Sequence, residues 1–157
     1  MSFLLANDGL TGKAGSAFMV KGGRNIELFG LKKFEINAEF EAADFSVVGA
    51  LVNQTKVKGI KYSGTMTIYY GTPEFLSILT EFKRTKRFPD IRLQVINDGT
   101  GTTVGNQIIA IYGVVLTKIP IAMLDDSAEY LQEEIPFTFT DFEPLEQFKT
   151  PVQLGGR

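Results

Sequence analysis

The chain has 157 residues, 44% of them hydrophobic, a formal net charge of −2, and neither histidine nor cysteine. This composition removes the commonest general base, the thiol nucleophile, disulfides and the usual zinc and iron–sulfur ligands. The charge argues against a general affinity for nucleic acid or anionic membranes, which depends on clustered basic residues. We therefore expect a single domain spanning residues 1–157, with no enzymatic activity, no cofactor, no metal and no stable membrane association.

The two ends of the chain show no sustained hydrophobic period. Residues 1–15 are rich in Gly, Asn, Ser and Thr, and residues 143–157 contain two prolines and adjacent glycines. Both segments are predicted to be extended arms. The opening MSFLLANDGL lacks a basic region, so we expect no secretory leader and synthesis in the cytoplasm.

A short hairpin is predicted after the first arm. The apolar segments Ala17–Val20 and Ile26–Phe29 flank Lys21–Asn25, in which two glycines can supply positive φ.

Two long strands follow, at residues 33–43 and 57–70, and both carry apolar side chains at even positions. If they pair antiparallel, opposed residue numbers must have an even sum, because a slip of one residue would turn one apolar face into water. We expect a sum near 102, which sets Phe40 against Tyr62.

The segment that joins these strands, residues 44–56, is unusually apolar for an exposed loop. One interpretation is that it folds back onto its own core, and the other is that it contacts another molecule. Its large apolar residues are Phe45, Val47, Val48, Leu51 and Val52.

One helix is predicted, with Thr72 as N-cap, Pro73 as first helical residue and Glu74 near the positive end of the dipole. It should present one apolar face to the sheet. A basic cluster at its C-terminal end complements the helix dipole, which we favour over nucleic-acid contact: Lys83, Arg84, Lys86 and Arg87.

The second half of the chain predicts three more strands. Residues 91–95 alternate as a half-buried strand, and turn residues lead to a strand from Ile108. The run Ile108–Leu116 is apolar at both parities, which indicates that both of its faces are covered. Glu129–Phe142 should close the sheet, with Ile135, Phe137 and Phe139 on one side.

Three candidate chemical motifs are rejected because of their spacing or their surroundings. The glycines at 99, 101 and 105 miss the dinucleotide-binding spacing. Glu39 and Glu41 could form a carboxylate pair, but neighbouring acids on a solvated strand are common. The acids at 125, 126 and 129 lack calcium-loop spacing, so a solvated turn explains them better.

Two segments carry a resemblance to a known family. Gly64–Leu79 reads GTMTIYYGTPEFLSIL, and Ile108–Glu143 reads IIAIYGVVLTKIPIAMLDDSAEYLQEEIPFTFTDFE. Together they resemble the tail tube proteins of contractile phage tails and phage-tail-like bacteriocins, over roughly residues 10 to 148. The resemblance implies a β-sandwich or barrel-type fold with one flanking helix. It also implies six-subunit rings that stack into a hollow tube lined by a continuous β-barrel.

With this resemblance, the polar odd positions of the two long strands are predicted to face the lumen and to form an acidic, threonine-rich wall. DNA would slide past such a wall without adhering. The predicted lumen residues are Glu35, Asn37, Glu39, Glu41, Lys61, Ser63, Thr65 and Thr67.

The arms and the apolar loop are predicted to make contacts between subunits and between rings. The residues are Phe3, Leu4, Leu5, Phe45, Val47, Val48, Leu51, Val52, Phe148, Val152 and Leu154. The resemblance implies a homo-oligomer in a virion or phage-tail-like particle made in a bacterial host. Its partners would be sheath, baseplate and tail-terminator proteins, with only transient, non-specific DNA passage.

Two alternatives stay open at this point. A type VI secretion tube protein shares the ring architecture, and differs in whether the rings stay discrete or stack. A monomeric ligand-binding β-barrel would need an apolar pocket and would remain a 17.3 kDa species.

Overall fold

The computed structural model describes residues 6, 15–28, 30–71 and 73–150. Within these residues there are nine strands and one helix. Their bounds are β1 (Gly15–Lys21), β2 (Arg24–Glu27), β3 (Leu31–Phe45), β4 (Gln54–Tyr69), α1 (Glu74–Thr85), β5 (Ile91–Asn97), β6 (Gln107–Tyr112), β7 (Val115–Leu116), β8 (Gln132–Phe139) and β9 (Asp141–Glu146).

The strands form two antiparallel sheets, one of five strands in the order β2-β1-β5-β6-β9 and one of four in the order β3-β4-β8-β7. The mainly β fold with one helix is confirmed. The barrel-type expectation is wrong for one chain, because β3 and β7 lie at opposite edges of the four-stranded sheet and do not pair.

A common core lies between the two sheets and the helix. The five-stranded sheet contributes Met19, Leu93 and Ile111, all essentially without exposure, and α1 contributes Phe75 and Ile78. The four-stranded sheet adds its own inward row, which consists of Met66, Ile68, Leu116, Ile135, Phe137 and Phe139. The inward positions predicted for the 129–142 segment are confirmed, although the strand begins at Gln132.

The pairing of β3 with β4 has the predicted parity but not the predicted register. Phe40 lies opposite Ile60, and Phe34 lies opposite Met66, so opposed numbers sum to 100 rather than 102. Only the parity was fixed by the apolar pattern, and a shift of two residues preserves the faces.

Two bulges interrupt this ladder. Lys32 is skipped between the pairs at Leu31 and Lys33, and Lys58 is skipped between the pairs at Glu41 and Ala42. Each extra residue reverses the parity in one strand beyond it.

The run Ile108–Leu116 is two strands and not one. Gly113, at φ 67°, separates β6 in the five-stranded sheet from β7 in the four-stranded sheet. Within β6 the adjacent Ala110 and Ile111 are both buried, so both faces of this strand are covered there, as predicted. In β7 only one face is covered, since Leu116 is buried and Val115 is 47% exposed.

Beside Gly113, the next strand pair also changes sheet. Thr140 separates β8 from β9, and its backbone N–H donates to the Tyr112 carbonyl at 3.1 Å. A Cβ on Gly113 would collide with the Thr140 side chain, so the two crossings are packed against each other.

The helix begins one residue later than predicted. Pro73 occupies the N-cap position in an αR conformation, no side-chain hydrogen bond caps this end, and Thr72 lies outside the described residues. Lys86, at φ 61°, ends the helix with its N–H donated to the Phe82 carbonyl at 2.8 Å. The Lys21 ammonium, on β1, lies 3.7 Å from the Glu81 carboxylate of the helix.

The structure also bears on the predicted first hairpin and on the predicted C-terminal arm. The first hairpin is confirmed as β1 and β2 around the 22–23 turn, although Phe29 lies outside the described residues. The arm predicted over 143–157 is wrong in its first part, since residues through Glu146 form β9 against β6. The Lys149 N–H then donates to the Val104 carbonyl at 2.8 Å.

Gly64 generates a stability prediction, because a Cβ there would lie 2.7 Å from Cζ of Phe137 and 2.7 Å from the backbone oxygen of Glu35. We expect Gly64→Ala to lower the free energy of unfolding by about 1–3 kcal/mol in urea titrations. Ser63→Ala, on the opposite face, should change it by less than about 0.5 kcal/mol.

Combining Gly64→Ala with Phe137→Leu checks the cause. The smaller side chain leaves room for the added methyl group, so the double variant should lose less stability than the sum of the two single variants. Strict additivity would show that the Phe137 ring is not what excludes a side chain at this position.

Candidate assembly and channel surfaces

The eight predicted lumen residues share one face of the four-stranded sheet. The register sets Glu35 opposite Thr65, Asn37 opposite Ser63, and Glu39 opposite Lys61. Glu41 and Thr67 lie on the same side, opposite Gly59 and Lys33. The structure therefore brings these residues together on one continuous surface, called here the polar face.

The polar face carries a nearly balanced charge rather than the predicted acidic one. In addition to the predicted residues, the pairing places Lys33, Lys56 and Glu134 on this side. Three lysines (33, 56 and 61) thus accompany four glutamates (35, 39, 41 and 134), giving a net charge of −1 on this face.

Local contacts order the charges at one end of the polar face. The Lys33 ammonium lies 3.4 Å from the Glu35 carboxylate, and the Asn37 amide donates a hydrogen bond of 3.2 Å to the same group. The Asn37 hydrogen bond, followed by the contact with Lys33, lowers the pKa of Glu35. Glu35 is therefore held as an anion with its charge partly compensated.

The opposite side of the β3–β4 hairpin is apolar from the pair at Leu31 to the pair at Ala42, and it is covered only in part. Phe34 and Met66 pack in the core, whereas Phe40 is 62% exposed and Ile60 is 49% exposed. Beyond residue 38 the hairpin projects past the core. Its uncovered apolar side, called here the apolar stripe, consists of Ala38, Phe40, Ala42, Val57 and Ile60.

The predicted contact residues of the loop are exposed in the subunit. β3 ends at Phe45 and β4 begins at Gln54, so the loop proper is residues 46–53. Val48 and Leu51 are fully exposed, and Phe45, Val47 and Val52 are mostly exposed. The interpretation that this loop folds back onto its own core is wrong.

Of the other predicted contact residues, Phe148 is half-buried. Phe3, Leu4, Leu5, Val152 and Leu154 lie outside the described residues.

Two side-chain features were missed by sequence reasoning. The apolar stripe was expected to be core, because parity alone cannot tell where a hairpin leaves its sandwich. Glu133 shares the inward parity of Ile135 and Phe137 and is only 3% exposed. The sequence did contain a signal for this burial, because Glu133 has the same parity as the inward-facing Ile135 and Phe137.

Other candidate sites have simple structural explanations. Asp125 accepts hydrogen bonds from the backbone N–H of Ser127 at 3.0 Å and from its hydroxyl at 2.6 Å. These bonds, the hydroxyl one first, lower the pKa of Asp125, as a solvated turn requires. In the part of the chain that the structure describes, no helix is long and apolar enough to cross a membrane.

Comparison with known proteins adds to this geometry. Residues 2–146 match the family described as phage tail tube protein. The chain belongs to the phage tail tube protein family. It is therefore a structural component of the tail of a virion or of a phage-tail-like particle.

Two relatives come from Bacillus subtilis strain 168. The uncharacterized protein YqbM is 31% identical over 147 residues, covering 94% of this chain and 97% of the relative. The phage-like element PBSX protein XkdM is 30% identical over 144 residues, covering 92% of this chain and 95% of the relative.

The fold is similar to solved structures of tail-like particles. A chain of the six-fold symmetrised anti-feeding prophage baseplate has a TM-score of 0.64 at 10% identity, covering 92% of this chain and 97% of that chain. A chain of an extracellular contractile injection system sheath–tube complex has a TM-score of 0.63 at 8% identity, covering 89% and 95%. At such identities the likeness concerns the fold alone.

Proposed function

We propose that six copies of this chain close into a ring and that stacked rings form the hollow inner tube of a contractile tail, a conduit for DNA or ions. The subunit would act without catalysis and would have sheath, baseplate and tail-terminator proteins as partners. One observation carries the proposal: the β3–β4 hairpin has a polar side, an uncovered apolar side and a free edge.

The free edge supports ring formation. β3 is 15 residues long, and in the described sheet only one of its edges is paired, with β4. A long unpaired edge is a liability that closure removes, because the edge of one subunit can pair with the next. A repeated head-to-tail interface gives a ring when the rotation closes.

The apolar side supports the orientation of the hairpin. In a closed ring the polar face would line the bore, where it stays hydrated. The apolar stripe would then face outward against neighbouring subunits, and burying it removes the cost of its exposure in the lone subunit. The exposed loop at 46–53 would extend the same contacts to the adjacent ring.

Negative-stain microscopy of concentrated full-length protein tests the proposal. Stacked tubes are expected, and rings that remain discrete would favour the type VI secretion-like alternative. A 17.3 kDa species at every concentration, without annular or filamentous objects, would overturn the assembly proposal.

The loop provides the second prediction. We expect Val48→Asp combined with Leu51→Asp to abolish tubes, because each charge would have to be buried in the inter-ring contact. The urea midpoint of the subunit should not change, since both side chains are fully exposed in it.

A matched control adds the same two charges to the same loop while keeping its apolar side chains: Ser46→Asp combined with Asn53→Asp. Tubes should persist in this variant. Equal loss of tubes in both variants would attribute the effect to charge repulsion and not to lost apolar contact.

The polar face provides the third prediction, which exploits the absence of native cysteine. Asn37→Cys introduces a unique thiol on the polar face, and Lys83→Cys introduces one on the exposed side of α1. A small maleimide should label both thiols in assembled tubes. A maleimide carrying a polymer wider than the bore should label only the thiol at position 83.

Disassembled subunits serve as the control, and there both reagents should label both positions. Rapid modification of the thiol at position 37 by the bulky reagent in intact tubes would place the polar face on the outside and contradict the proposal.

The charge of the wall provides the fourth prediction. Glu39→Lys with Glu41→Lys should leave tubes intact but slow DNA passage in a genome-carrying particle, measured as a fall of about tenfold or more in plating efficiency. Asp141→Lys with Glu146→Lys makes the same change in net charge on β9 of the five-stranded sheet and should have little effect. Unchanged infectivity of the first variant would argue against a DNA conduit lined by this face.

A further inference from the structure

A pocket of about 200 Å³ opens where the end of β4, the start of α1 and the segment after β7 meet. Its walls are mainly apolar, and of the residues that the structure describes Glu133 supplies the one carboxyl group that lines it. The other lining residues are Tyr70, Gly71, Pro73, Leu76, Pro120 and Ile121.

Glu133 is buried in this pocket. Its side chain belongs to the inward row of β8, directly opposite Ile68 of β4. Among the described residues no hydrogen-bond donor reaches its Oε1. A buried, unpaired carboxylate is costly, so natural proteins either pair such a group or leave it protonated.

In the part of the chain that the structure describes, no other charged side chain lines this pocket. Burial raises the pKa of the Glu133 carboxyl, and burial is the only cause of the shift. The charged residues nearest in sequence to the lining residues are Glu134 on the opposite face of β8, Glu74 next to Pro73, and Lys118 two residues before Pro120. None of these three lines the pocket, and of the described residues Tyr70 is the only other titratable one that does.

The rim of the pocket is also incomplete. Ile121 is largely exposed, and Leu76 and Tyr70 are partly exposed, so apolar surface surrounds the entrance. A lysine side chain matches both features, since its four-carbon stem covers apolar surface and its ammonium needs an acceptor. Among the described residues one oxygen of the carboxylate, Oε1, has no donor, and a single N–H of an ammonium satisfies it without the two-point geometry of a guanidinium.

The geometry points to Glu133 as the receptor for a lysine ammonium from a second copy of this chain, which enters the pocket when subunits assemble. The inference rests on the proposed self-assembly. In the lone subunit the buried carboxylate of Glu133 lowers stability, and in the assembly its contact with the ammonium offsets that loss.

This role requires effects of opposite sign from one substitution. Glu133→Gln keeps the shape but cannot ionise, so it should stabilise the lone subunit and weaken assembly. An ordinary structural residue would move both quantities in the same direction.

The first arm measures subunit stability in the assembly-deficient Val48→Asp, Leu51→Asp background. Because the folded pKa of Glu133 is raised, its stabilising contribution is complete below the unfolded pKa of about 4.3 and is lost as pH rises through the folded value. Glu133→Gln should therefore raise the urea midpoint at pH 8 and have little effect near pH 4. A lower midpoint at pH 8 would show that the carboxylate already has a partner and would overturn the inference.

The second arm measures the critical concentration for tube formation of the full chain at pH 8. We expect Glu133→Gln to raise it about tenfold, the loss expected for one charge-assisted hydrogen bond. Glu134→Gln removes the same charge from the exposed face of the same strand and is the matched control. An unchanged or lower critical concentration for Glu133→Gln would overturn the inference.

The third arm identifies the partner without any substitution. Carbodiimide treatment of tubes assembled from mixed ¹⁴N and ¹⁵N subunits should join Glu133 to a lysine of the other isotope, detected by mass spectrometry. A crosslink within one subunit, or none while other carboxyl groups react, would overturn the assignment. Tubes that form normally despite such results would refute this inference alone, whereas native protein that never assembles would refute the proposed function as well.

Discussion

The alternation of apolar and polar side chains along the β3–β4 ladder is the constraint on which the rest of the structure depends. Side chains alternate with a period of two, so any single extra residue would turn the apolar side into water. The two bulges compensate for changes of parity in the sequence. Because Lys32 is skipped, Leu31 joins Phe34 on the apolar side, and because Lys58 is skipped, Val57 joins Ile60. One apolar side is thereby maintained from the core as far as the pair of Ala42 with Val57.

A second constraint is the corner at which two strands leave one sheet for the other. Gly113 and Thr140 are in contact there, so the crossing from β6 to β7 and the crossing from β8 to β9 are fixed together. Aromatic contacts hold the sheets beside this corner. The Tyr62 ring stacks on Phe139 at 5.2 Å and meets the edge of Phe142, from β9, at 5.7 Å. The four-stranded sheet is therefore supported at the point where the hairpin begins to project.

The sequence was informative wherever one periodic pattern controlled one face. It predicted the parity of β3 and β4 and the inward row of β8, because burial of alternate residues leaves a local signal. It could not predict the register, because shifts of two residues conserve that pattern. The change of sheet at Gly113 was also missed, since the residues on both sides of it are apolar and nothing in such a run marks where one strand ends and the next begins. The sequence also could not predict where along the hairpin the core ends. Phe34 and Phe40 have the same parity, and only the tertiary structure shows that Phe34 is covered and Phe40 is not.

The balanced charge of the polar face changes the physical argument for a conduit. An acidic wall would exclude DNA by repulsion, whereas this face carries lysines close to its glutamates, as in the contact between Lys33 and Glu35. Neighbouring opposite charges have fields that cancel over short distances, and salt screens the remainder beyond about 8–10 Å. In the proposed tube, a polyanion near the axis would thus meet a hydrated wall with little net attraction or repulsion. Passage without adhesion then follows from weak interaction with the wall and does not require an acidic lumen.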